Sequence, residues 1–128
     1  MKTEMLKFHY DEIVYVLLIL ATNLKDYSEE NLKSFAEAIH RLDTLSKQEF
    51  MKGLKLINPN IDDDFISNLT ELQKIISELY SGQWYKALTK NSSVMNKSFL
   101  LSRQLLDKLS EKYIEPIKYA ENNMDVNW

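Results

Sequence analysis

Ile13-Val14-Tyr15-Val16-Leu17-Leu18-Ile19-Leu20-Ala21 is an unbroken apolar run of nine residues, and its reading decides the fold. Around it, Leu6, His9, Ile13, Leu17, Leu20 and Leu24 recur at helical spacing, while Val14, Leu18 and Ile19 make the other sides apolar as well. A helix apolar on every side must be enclosed by others or covered by a second chain. The pattern predicts one from about Thr3 to Leu24 at the centre of a bundle. A membrane span needs about 20 such residues. A secretion signal needs a basic lead and a small-residue cleavage site, whereas Asp11 and Glu12 precede this run and Ala21-Thr22-Asn23 follows it.

Outward from this centre, the remaining apolar residues also fall into helical stripes. Ser28 followed by Glu29 and Glu30 reads as a capped helix start, continuing through Leu32, Phe35, Ala36, Ile39 and Leu42, with Glu37 and Arg41 as an outward pair. Ser46 and Glu49 have capping-box spacing and open a shorter helix that ends at Asn58-Pro59-Asn60. Asp62 or a neighbour caps a helix whose Phe65, Leu69, Leu72, Ile76 and Leu79 form a packing seam, stopped at Ser81-Gly82. Gln83 to Lys90 reads as a short helical piece. Asn91-Ser92-Ser93 caps a last long helix reaching about Ile114, which Pro116 ends or kinks.

The chain has 128 residues with only two Gly, two Pro and no Cys, so tight-turned sheets, disulfides and thiolate chemistry are disfavoured. The expectation is an all-α fold: a single-domain bundle of five to six helices around a buried first helix, spanning 1–121 with a tail at 122–128.

Net charge is −3 at pH 7, which offers no general field for nucleic acid. The first 64 residues hold 12 acids and 8 bases, and the last 64 hold 7 and 8, so the halves carry −4 and +1. A DNA-reading helix opening on Asp62-Asp63-Asp64 would repel phosphates. Asn58, Asn60, Asp62 and Asp64 alternate as calcium-loop ligands do, but Asp63 replaces the turn glycine and Leu69 the closing Glu. Glu37-Ala38-Ile39-His40 supplies one half of a di-metal carboxylate motif, and no second half exists. Neither a cofactor nor a metal is expected. His9 lies on the apolar stripe and reads as a core histidine rather than a catalytic base, with no nucleophile paired to it.

The chemistry that remains is recognition. Asp62, Asp63, Asp64 and Glu37 supply an acidic field, and Trp84 and Tyr85, directly after Gly82, either plug the end of the bundle or anchor a partner. These features predict a cytoplasmic protein-binding domain that neutralises another protein, such as a basic toxin domain, in the manner of a bacterial immunity protein or antitoxin. Two alternatives stand beside it: an enzyme or ligand-binding bundle with a pocket near His9, Tyr10 and Tyr15, and a homodimer paired through the first helix. No nucleic-acid or membrane partner is expected.

Overall fold

The computed structural model describes residues 3–124. Helix α1 (Thr3–Leu20) lies in the middle, touching helices α2 (Glu29–His40), α3 (Leu42–Leu45), α4 (Gln48–Leu54), α6 (Ser93–Lys108) and α7 (Pro116–Asn123). Helix α5 (Asp63–Ser77) packs along α6, and a 3-10 segment (Trp84–Thr89) packs on α2. No strand occurs among the described residues. From Ile13 to Ala21 every residue but Tyr15 is buried, which is what an all-round apolar helix requires. The count among the described residues is seven α-helices rather than five or six, because a single turn, α3, separates from the end of α2 and α7 follows α6.

Several boundaries differ from the sequence expectation, each for a local reason. Helix α1 stops at Leu20 rather than Leu24. Thr22 Oγ1 donates to the Leu18 carbonyl at 2.6 Å, and the Lys25 N–H donates to Asn23 Oδ1 at 3.1 Å, so side chains take over the helix ladder. Leu24 is buried nonetheless. Ser46 does not cap α4. Its backbone is still helical, and its hydroxyl donates back to the Leu42 carbonyl at 2.6 Å, which leaves Lys47 at the N-cap without a side-chain bond. Arg41 does not pair with Glu37. Its guanidinium grips the Glu12 carboxylate at 3.0 and 3.2 Å and so ties the end of α2 to α1. The caps at Ser28, Asp62 and Ser92 form as the sequence predicts.

Gly82 adopts a left-handed conformation, φ 49°, but five residues beyond Ser77, so it turns the chain into the 3-10 segment instead of closing α5. The left-handed helix stop sits elsewhere, at Ser110, φ 58°. The Ser110 N–H donates to Asp107 and the Glu111 N–H to Leu106, each at 3.0 Å, which is the paired closure of a Schellman motif and ends α6 well before Ile114. A serine there carries a steric cost of about 1 kcal/mol that glycine does not. Ser110→Gly is therefore expected to raise the thermal midpoint by a few degrees, and a lowered midpoint would contradict that assignment.

Pro116 neither ends nor kinks α6. It is the first residue of α7, where its missing N–H costs nothing, and Glu115 caps it through a bond from the Lys118 N–H at 3.0 Å. Residues 122 and 123, expected in the tail, belong to α7, and residues 125–128 lie outside the described residues. Burial alone would raise the Glu115 pKa. Bonds from the Tyr27 hydroxyl and from the Lys118 and Ile117 N–H groups outweigh it and hold the carboxyl below its ordinary 4.5. A depressed pKa gives stability that is complete above the unfolded value and lost as pH falls through the folded one. Glu115→Gln should thus lower the melting temperature at pH 7, with the difference from the parent shrinking between about pH 5 and pH 3. A difference that stays constant over that range would exclude the ionised cap.

Candidate functional site

The α5 side that turns away from α6 borders a polar groove closed opposite by α3, a hollow of about 680 Å³. Asp43, Asp63 and Glu71 face it, with Lys47 and Lys74 as the opposing charges. Asp43 is fixed from two sides: Gln73 Nε2 donates to its Oδ1 at 2.7 Å, and His40 Nε2 lies 3.4 Å from its Oδ2. His40 also lines a second, shallower hollow of about 440 Å³ between α2 and the 3-10 segment, where Lys33, Glu37, Trp84 and Tyr85 meet. The Tyr80 ring stands at the junction, 4.9 Å from His40 and 4.8 Å from Trp84 between centroids. Burial, and then the nearby Asp43 charge, push the Tyr80 hydroxyl far above its ordinary pKa, so this hydroxyl stays neutral at any physiological pH.

The predicted residues divide along this surface. Glu37, Trp84 and Tyr85 come together at one end. Asp63 faces the groove elsewhere, at the start of the 15-residue helix α5, which is about 22 Å long. Asp62 and Asp64 face elsewhere. Asp62 accepts from the Phe65 N–H at 2.9 Å and pairs with Lys108 at 2.8 Å; these bonds, Lys108's first, lower its pKa. Asp64 borders a small hollow against α6 that includes Lys108 and Gln104. Capping a helix fixes Asp62 in place, and three consecutive residues on a helix cannot share one face.

Trp84 and Tyr85 also separate. Tyr85 is buried, its hydroxyl donates to Glu29 at 2.5 Å, and the Lys33 ammonium lies 5.4 Å over its ring, so it plugs the bundle. Trp84 is half-buried and keeps an edge on the hollow. His40, Asp43, Glu71 and Tyr80 are not legible as site residues in the sequence. The placement of His40 and Asp43 depends on the break after α2, which no proline or glycine marks.

His9, Tyr10 and Tyr15 each meet different neighbours. His9 Nδ1 meets Glu12 at 2.9 Å, and its ring stands edge-on to Phe50. Tyr10 is buried, donating to Glu111 and accepting from Asn58 Nδ2 at 3.0 Å. Tyr15 packs edge-on against Phe35. Among the described residues no cluster of three metal-ligating side chains occurs, and no helix is long and apolar enough to cross a membrane.

No known protein family, curated protein or solved structure matches the chain. The geometry therefore stands alone. What it can do is pair charges along the groove and offer an indole edge at its end.

Proposed function

We propose that the chain is a protein-binding module that neutralises a partner through a basic surface of that partner, in the way an immunity protein or antitoxin acts in a bacterial cytoplasm. The observation carrying this is the continuity of the two hollows through the Asp43–His40 pair, which joins a carboxylate-bearing groove to an aromatic end. Interfaces divide labour in this manner: exposed charges steer encounter, and a packed aromatic side chain holds the complex. The overall charge of −3 favours a cationic partner. Helix α1 keeps no apolar face for a second copy between Ile13 and Ala21, so the groove is the better surface for contact.

The test is capture from the native host on immobilised protein, followed by binding kinetics at two salt concentrations. Asp63→Lys with Glu71→Lys should slow association about tenfold at low salt, with the effect shrinking at high salt. Trp84→Ala should speed dissociation about tenfold, equivalent to roughly 1.4 kcal/mol. Association indifferent to the charge reversal at low salt would remove the groove from the interface. A Trp84→Ala chain that unfolds without any partner would make Trp84 a second plug.

A further inference from the structure

The 3-10 segment has a second side. Leu88, Thr89 and Lys90 border a hollow of about 410 Å³ closed by the chain after α1 and by the start of α6. Its floor is apolar, made by Leu24, Leu88, Met95 and Phe99, and its rim carries the amides of Asn23, Asn91 and Asn96. Lys25 and Lys90 are its charged residues, and no carboxylate lines it. One turn past Phe99, the Arg103 guanidinium lies 4.7 Å from the Phe99 ring centroid and 5.6 Å from that of Tyr113, and donates to the Ala21 carbonyl at 3.4 Å.

None of these three cations has a carboxylate partner among the described residues. Glu111 is bonded to Tyr10, and Glu115 to Tyr27 and its own cap, while Asp26 and Asp107, the acids nearest Lys25 and Arg103 in sequence, do not line the hollow. The sequence enforces this imbalance. From Leu79 to Leu106 there is no acid, while Lys86, Lys90, Lys97 and Arg103 all fall in that stretch. A chain of net −3 thus keeps one groove free of negative charge.

The rim chemistry narrows what this groove fits. An amide side chain offers both a donor and an acceptor, as a peptide group does. Asn96 Nδ2 donates to Asn91 Oδ1 at 3.1 Å, which leaves donors on Asn91 and an acceptor on Asn96 facing outward partners. Exposed Leu100, 62% accessible, follows Phe99 on α6, and Tyr113, 46% accessible, stands beside Arg103. We propose that this groove binds an extended acidic peptide segment of a partner protein, seating one apolar side chain on Met95 and Phe99 and flanking carboxylates on Lys25, Lys90 and Arg103. It uses no residue of the α3–α5 groove, so it stands or falls independently of the function proposed above.

The experiment is a titration of ¹⁵N-labelled protein with the capped hexapeptide EDLFDE, and separately with KKLFKK, inorganic phosphate and dodecanoate. Saturable shifts are expected at Asn23, Lys90, Asn91, Asn96 and Arg103 with EDLFDE and not with KKLFKK. Lys25→Glu with Lys90→Glu should weaken EDLFDE binding at least tenfold, and Phe99→Ala should weaken it while leaving the charges in place. Both lysines are exposed and unpaired, and the spectra themselves report folding. The proposal is overturned by equal shifts with KKLFKK, by phosphate reproducing the same saturating pattern, by dodecanoate displacing the peptide at lower concentration, or by variants that fold and bind unchanged.

Discussion

Leu17→Ala is expected to destabilise the protein by about 2 to 5 kcal/mol, read as a lowered denaturation midpoint in urea at unchanged slope. Leu17 has no exposed surface and sits towards the C-terminal end of α1, with Val16, Leu18 and Ile19 around it equally enclosed. Its removal opens a cavity that cannot close by a shift of one neighbour, because five helices surround α1 and the interior is close-packed. Leu100→Ala supplies the control. That side chain is 62% exposed, so its loss should stay within about 0.5 kcal/mol. Similar small losses for both would mean that α1 is not the centre of the fold.

The second large effect is expected at Asn58, where Ala should cost about 2 to 3 kcal/mol. Asn58 Nδ2 donates to the Leu109 carbonyl and the Tyr10 hydroxyl, both at 3.0 Å, and its Oδ1 accepts from the Asn60 N–H, also at 3.0 Å. One side chain therefore joins α1, the end of α6 and the turn before α5. Truncation leaves the Leu109 carbonyl without this donor and loosens the Tyr10 to Glu111 bond, and partly buried polar groups without partners cost more than the bonds gained. Asn58→Asp is the sharper variant. It keeps the acceptor and the volume but loses both N–H donors and sets a carboxylate against the Leu109 carbonyl and near Glu111, so at pH 7 a loss at least as large as that of Ala is expected.

These two positions also show what the sequence reveals. Leu17 is legible because burial repeats with the helix period, and a helix apolar on all sides must be enclosed to be stable in water. The caps at Ser28, Asp62 and Ser92 are legible because the capping bond is local. Asn58 reads as a turn before proline or as part of a failed calcium-loop pattern, and not as a joint, since its partners lie 48 and 51 residues away. The site is half visible in the sequence for the same reason. Asp63, Glu37 and Trp84 stand out by type, but that Asp62 is also paired with Lys108 follows from the packing of α5 on α6. The Ser110 stop is invisible there because glycine is the residue that signals such a conformation.

The position of α1 has a consequence for how the protein is made. Its contacts with α6 and α7 join residues far apart in sequence; the Tyr119 to Asp11 bond spans 108 positions. At synthesis rates of about 5 to 20 residues per second, roughly 5 to 20 s pass between emergence of α1 and of the last helix that covers it. Throughout that interval the nine-residue run from Ile13 to Ala21 is outside the ribosome without its full shell. The yield of such a chain should depend on translation speed through residues 93–123 more than on the stability of the finished fold.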